Sequence, residues 1–323
     1  MATTAEDENP RIHFDRILGR HYVDARIRKL TVHDAGLPPV VAHFLYPAFK
    51  SGQPTVAELV MMLMGEITGF CATKAQRRLA KMRDAADPYD SRETEELARW
   101  AKARFIKARE SDSRSGEGGE LLLYVLVEHF LKAPLVLSKM RLKTSPDMPV
   151  HGADGVHAMW DIDGNRLAMV FGESKLHQTF ASGMAEAAES IGLLARNVDG
   201  RMENELQLTT GNIDLDGFPS EIQEHLLRFL HPYATEESNS RVDKFALLVG
   251  FDFHAYGKIT GKPAAEAEEE FVKLYRKNLK TSLTTAQSHL NAHDVSLDTV
   301  DLFFFPLPDV QAFRDAFDKA LYG

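Results

Sequence analysis

The sequence predicts an α/β fold built on a mixed, covered sheet, and three observations carry that expectation. Beyond residue 119, apolar segments of helix length and of strand length alternate. The strand-length segments are nearly continuously apolar, the pattern of strands covered on both faces. Two of them are joined through Asp163-Gly164-Asn165, and an Asp-Gly step between apolar runs is a strong hairpin signal.

The elements follow in chain order. Residues 1 to about 10 are acidic and polar and read as disordered, and a mixed segment runs to Pro38-Pro39. Thr55 to Phe70, Lys74 to Ala86 and Arg92 to Arg109 read as helices, the third introduced by Asp90 or Ser91 as N-cap with acids in its first turn. The small-residue stretch from Ser111 to Gly119 breaks the pattern and divides an N-terminal, mainly helical part (1–114) from the rest (115–323). Glu120 to Lys132 is apolar nearly all round and long enough for a buried helix, ended by Pro134. Strands are expected near Leu135 to Leu142, at Asp154 to Asp161 and at Arg166 to Leu176. Then come a helix at Thr179 to Arg196 and another at Ser220 to Leu230, closed by Pro232. A strand at Lys244 to Phe253, a helix at Ala264 to Leu279, a strand at Asp298 to Pro306 and a helix at Asp309 to Leu321 complete the chain.

Composition narrows the function classes. Hydrophobic residues make up 44% and charged residues 26% of 323, ordinary for a soluble globular protein with a sizeable core. The longest apolar runs, around Leu121 to Val127 and Leu302 to Leu307, fall far short of the roughly 18–20 residues of a membrane span. The acidic start resembles neither a signal nor a transit peptide, so the cytoplasm is the expected location. A single cysteine, Cys71, excludes an internal disulfide and a cysteine-rich zinc site, and beside Phe70 it reads as core. No phosphate-cradling Gly-x-x-x-x-Gly-Lys-Ser/Thr loop is present, so ATP hydrolysis is not expected of this chain. The net charge of -9 is uneven. Residues 73–114 hold twelve Lys and Arg against eight Asp and Glu, a balance of +4 that leaves the rest at -13. Arg92, Arg99, Lys102 and Arg109 recur near helical spacing, either as a solvated face or as a surface for a phosphate backbone or an acidic partner.

The chemistry concentrates in two of the expected strands. Gly152-Ala153-Asp154-Gly155 opens one, and Leu167-Ala-Met-Val-Phe-Gly-Glu173-Ser-Lys175 forms the other. Alternate strand residues share a face, so Glu173 and Lys175 project in file with Leu167, Met169 and Phe171. Charges there cost several kcal/mol unless paired or bound to a metal. Two carboxylates at adjacent strand ends, with no cysteine, suit a hard cation such as Mg²⁺, with Mn²⁺ as an alternative. Asp154 and Glu173 are then ligands and Lys175 the ammonium that orients a water or meets developing charge. The other reading of the same residues is a salt bridge at the sheet's edge. Glu120, opening the buried helix after Gly118-Gly119, is a third carboxylate within reach of the sheet's end, and Glu117 is its rival.

The spacing Asp154, then nineteen residues to Glu173, then Ser174-Lys175 resembles the PD-(D/E)XK nuclease superfamily, the restriction-endonuclease fold. Ala153 stands where that superfamily usually has Pro. Gly119-Glu-Leu-Leu-Leu-Tyr124, Leu137-Ser-Lys-Met140, Leu142-Lys-Thr144, Gly152-Ala-Asp-Gly-Val-His157 and Gly172-Glu-Ser-Lys-Leu176 together look like the HamA family, nuclease-like effectors of the Hachiman anti-phage defence system. The likeness runs from about residue 15 to the end and is densest at 116–195. It implies a restriction-endonuclease-like core of helix, mixed sheet and helices, and a metal-dependent DNase restrained by a partner helicase, HamB, until phage or damaged DNA engages it. By motif match Glu120, Asp154, Glu173 and Lys175 carry over as the active site. The alternative is a non-catalytic nuclease-like fold that binds DNA or the helicase. Gln178, just past the second strand, is a candidate for touching substrate or a metal's water. Lys139 and Lys143, flanking the first strand, read either as phosphate contacts or as solvated residues. His157 points away from Asp154 on strand parity, and His177 lies close by in sequence. The run Phe303-Phe-Phe-Pro306 reads as an inner strand rather than a docking surface.

Overall fold

A computed structural model describes residues 11–32, 37–110, 116–142, 152–161, 166–231 and 242–323. Seven strands make one sheet: β1 (Ile27–Leu30), β2 (Val41–Pro47), β5 (Leu135–Ser138), β6 (Gly155–Asp161), β7 (Arg166–His177), β8 (Val242–Asp252) and β9 (Val300–Leu307). Their spatial order is β1-β2-β9-β8-β7-β6-β5. The central strands β2, β9, β8 and β7 run parallel, while β5, β6 and β1 pair antiparallel at the two sides. The short strands β3 (Phe49–Lys50) and β4 (Gln53–Pro54) form a separate hairpin.

Both faces of this sheet are covered, which is why the inner strands tolerate no polar alternation. One face packs against α3 (Val56–Cys71), α5 (Arg92–Glu110), α6 (Glu117–Leu126) and α13 (Val310–Tyr322). The opposite face packs against α8 (Phe180–Ala195), α9 (Arg201–Asn212), α10 (Ser220–Phe229) and the 29-residue α12 (Ala264–Ala292). The run Phe303-Phe304-Phe305 lies on β9, between β2 and β8: Phe303 and Phe305 enter the first core and Phe304 the second, all fully buried. Cys71 is likewise core, its thiol pushed up to about 12 by burial.

Three features differ from the sequence-based expectation. The mixed segment before Pro38 and the one after it contribute β1 and β2 to the same sheet, and α3 and α5 share a core with α6 and α13. The expected boundary at 114/115 therefore does not separate two cores. The strand at Leu135 stops at Ser138, where Lys139–Leu142 form a one-turn helix, α7. The helix α9 was not expected: its buried apolar residues are only Met202 and Leu206, Leu208 is exposed, and its other buried positions are Glu205 and Thr209. The turn Asp163-Gly164-Asn165, the stretch 111–115, Pro232, Lys143 and residues 1–10 lie outside the described residues.

Side chains set several helix starts. Thr73 and Gln76 form a reciprocal capping box for α4 (Lys74–Asp84), Thr179 caps α8 through Ser182 N–H, and Asp309 caps α13 through Ala312 N–H. Asp90 accepts from Arg92 N–H, but the carboxylate of Asp84 takes the N–H groups of Glu93 and Thr94 at 2.9 and 3.0 Å. The end of α4 thus caps α5 and fixes the angle between them.

Candidate active site

The carboxylates come together because of strand register. Gly155 on β6 pairs with Gly172 on β7, and Asp154 N–H donates to Gly172 O at 2.8 Å, so Asp154 stands opposite Glu173. Both side chains are buried, at 8% and 7% exposure. Glycine at 172 lets α6 approach: a Cβ there would lie 3.1 Å from Leu123 Cδ2. Asp154 Oδ2 accepts from both Ser174 N–H and Ser174 Oγ–H at 2.9 Å. Lys175 Nζ sits 2.8 Å from Glu173 Oε1. The file Leu167, Met169, Phe171, Glu173, Lys175 therefore begins in the apolar core and ends in an ion pair at the strand's carboxyl end.

The electrostatics of the cluster are anionic. Burial raises the Glu173 carboxyl, Asp154 raises it further, and Lys175 and Lys139 pull only part of it back. Burial alone would lower Lys175, but Glu173 and Asp154 outweigh it and hold the ammonium charged. Lys139, at the start of α7, shows the same balance: burial opposes its charge, and Asp154, Glu120, Glu173 and Glu205 together override it. It is thus neither a solvated strand residue nor remote from the site. Asp154 and Glu173 act on both ammonium groups, with Glu120 and Glu205 adding to them at Lys139 and Glu186 at Lys175.

Glu120 enters from the other face of the sheet. The start of α6 lies against the end of β7, where a Cβ on Gly119 would be 3.2 Å from Ser174 Oγ and from Leu176. Glu120 is buried and is among the carboxylates that raise Lys139. Glu117, one turn earlier, is also buried, next to Gly118, whose Cα faces Phe313 and Phe317. Glu205 is the residue that sequence reasoning missed. Carried by α9 and 5% exposed, its carboxyl is pushed up to about 7 by burial, although Ala153 N–H and Lys139 pull it down. No motif flags it, because α9 itself is barely visible in the sequence.

The other candidates separate. His157 faces away from Asp154, its Nδ1 2.8 Å from Ala133 O, and burial lowers it to about 4. His177 pairs with Glu186 at 3.1 Å. Gln178 is exposed between β7 and α8. A cavity of ≈ 80 Å³ opens beside Glu173, floored by Phe171, Ile191 and Leu194 and rimmed by Ser190, Arg201 and Asn204.

The donor set fits a hard divalent cation. Among the described residues no three His, Cys, Asp or Glu side chains are placed to hold a metal, but Mg²⁺ ordinarily takes one or two carboxylates and completes its shell with water and phosphate oxygen. Asp154 and Glu173 supply that pair at the carboxyl end of β7.

The family model for HamA matches residues 21–321, nearly the whole chain. The chain belongs to the HamA family. HamA proteins are components of Hachiman defence systems, which pair them with a partner helicase. No curated protein and no solved structure matches the chain significantly. Among the described residues no single helix is long and apolar enough to cross a membrane.

Proposed function

We propose that this HamA-family protein is a metal-dependent DNA nuclease of the PD-(D/E)XK type, the cytoplasmic effector of its defence system, gated by the partner helicase. The observation that carries this reading is the apposition of buried Asp154 and Glu173 on adjacent strands, with Lys175 paired to Glu173. Asp154 and Glu173 would hold Mg²⁺ or Mn²⁺, with Glu120 as an additional or water-mediated ligand, and the ion would supply Lewis-acid polarisation of the scissile phosphoryl oxygen. Lys175 orients the attacking water: its oxygen bonds to phosphorus as the P–O bond to the leaving sugar oxygen breaks, and the proton that the water loses is balanced by one that the leaving oxygen takes from solvent. Ser174 keeps Asp154 in place from the β7 side.

The direct test is nicking of supercoiled plasmid in Mg²⁺ and in EDTA, with and without the partner helicase and ATP. Mg²⁺-dependent nicking that EDTA stops is expected. Silence under every condition, with the helicase shown to be present and active, defeats the nuclease reading. The Lys175–Glu173 ion pair is the one observation that also suits the non-catalytic alternative, a nuclease-like fold that binds DNA or helicase.

The catalytic centre falls within 115–323, and we assign the partner-facing surface to 1–114. There α4 exposes Leu79 and Met82 and α5 exposes Arg99 beside half-buried Lys102; the side chain of Arg109 lies outside the described residues. Reversing charge at Arg99, Lys102 and Arg109 is expected to abolish co-purification with the helicase at about 150 mM salt, where exposed charges still act over about 8 Å. Undiminished co-purification places the interface elsewhere.

A further inference from the structure

Asp154 is gripped by Ser174 on one side, yet the turn that delivers it is irregular. Gly152 has φ +140°, a backbone region closed to other residues, and Ala153 lies between it and Asp154. Glu205 fills the space above this turn. Its Oε2 accepts from Ala153 N–H at 3.3 Å and occupies the position a Cβ on Gly152 would need. The backbone at 152 calls for glycine, and the carboxylate of Glu205 takes up the room that the missing side chain leaves.

Glu205 is itself held firmly. Met202 and Leu206, flanking it on α9, are buried in the core under the sheet, and Thr209 Oγ–H donates to Glu205 O at 2.8 Å. Just past α9, Asp214 N–H donates to Val136 O on β5, and the Asp214 carboxylate accepts from Lys74 N–H and lies 3.6 Å from Arg141. A buried carboxylate on so fixed a helix, bonded to the backbone beside a ligand residue, transmits the position of α9 to Asp154.

We infer that Glu205 is a positioning residue: through Ala153 N–H it sets the Gly152–Asp154 turn, and so sets Asp154 for the divalent cation. The inference rests on the metal-dependent reading above. It adds a side chain from outside the strand motif to the machinery of the site, acting through a backbone N–H.

Mn²⁺ binding to the full chain, followed by titration calorimetry and by the electron paramagnetic signal of the free ion, tests it without reference to cleavage. Glu205→Ala is expected to weaken Mn²⁺ about 10-fold or more, the usual effect of losing a group that orients a ligand. Glu205→Gln keeps an oxygen for the same N–H and is expected to bind Mn²⁺ within about twofold of wild type. Glu205→Met, which fills the same space without an acceptor, should follow Glu205→Ala. Should Glu205→Ala fail to fold, the contrast between Glu205→Gln and Glu205→Met still decides. Wild-type affinity in Glu205→Ala overturns the inference and leaves the metal reading intact. Equal weakening in the Ala and Gln variants overturns it in favour of direct ligation by the charged carboxylate. A wild-type chain that takes up no Mn²⁺ sinks both readings together.

Discussion

Glu173→Gln removes Mg²⁺-dependent nicking, by at least about 10²–10³-fold, while the melting temperature in EDTA stays at or above that of wild type. The loss follows from the removal of one of the two carboxylates proposed to hold the metal. The retained stability follows from burial and from Asp154, which both raise the Glu173 carboxyl. A raised carboxyl contributes stability that is full below its unfolded value of about 4.5 and is lost as pH climbs through the folded value, and Gln removes that dependence while keeping the shape of the side chain. Lys175→Ala diverges. It too abolishes cleavage, but it strands Glu173 beside Asp154 without its ion-pair partner and is expected to lower stability by about 1–3 kcal/mol. Nicking by both variants at wild-type rate refutes the assignment. A fall in melting temperature for both, with a wild type that never cleaves, supports the binding module instead.

Wild-type stability declines by up to about 3 kcal/mol as pH rises from 6.5 to about 9, and His21→Gln abolishes that decline. His21 is buried between two carboxylates, with Nδ1 2.9 Å from Glu66 Oε2 and Nε2 2.9 Å from Glu128 Oε2. Burial alone would lower its pKa, but bonds to Glu128 and Glu66 raise it to about 9. The folded value exceeds the unfolded one near 6.5, so the contribution is complete below 6.5 and is lost through about 9. Glu128 carries more than the pair: it also accepts from Gly19 N–H at 2.7 Å and Leu135 N–H at 2.8 Å, tying the N-terminal segment to the start of β5. Its carboxyl is held below the usual range by His21 and these N–H groups despite burial, and the part owed to the N–H groups persists when His21 loses its proton. Lys74, lowered by burial to about 8, acts in the opposite sense above that pH, and subtracting the His21→Gln profile isolates the imidazole. Urea midpoints at pH 6, 7.5 and 9 decide; parallel profiles for the two proteins refute the clamp.

The strand pair that carries Asp154, Glu173 and Lys175 was legible because the sequence states both the strands and the anomaly. Period-two alternation places Glu173 and Lys175 on one face, and an acid beside Val and Phe stands out in a buried strand. His157 was legible for the same reason, its parity sending it to Ala133 and Tyr124. Elsewhere the local signal failed. The strand β1 is four residues with Arg28 and Lys29 inside it, β2 runs from just after Pro39 to Pro47, and what makes them strands is pairing with each other and of β2 with β9, some 260 positions away. The strand at Leu135 ends early because Ser138 Oγ–H donates to Phe70 O and the chain turns into α7, a contact no local pattern announces. In α12 the apolar stripe continues through Leu283, Ala286 and Leu290, beyond the expected end at Leu279, because α8 and the last turns of the helix lie side by side.

By itself the sequence determined which residues carry charge into a covered sheet, since burial cost and strand parity are local properties that composition and spacing expose. Only the tertiary structure decided what surrounds them. Glu205 and Lys139 reach the centre from α9 and α7, elements whose place depends on long-range packing, and the turn at Gly152 gains its support only when Glu205 is set above it. Local periodicity encodes the face a side chain occupies; which other faces converge on it is a property of the closed core.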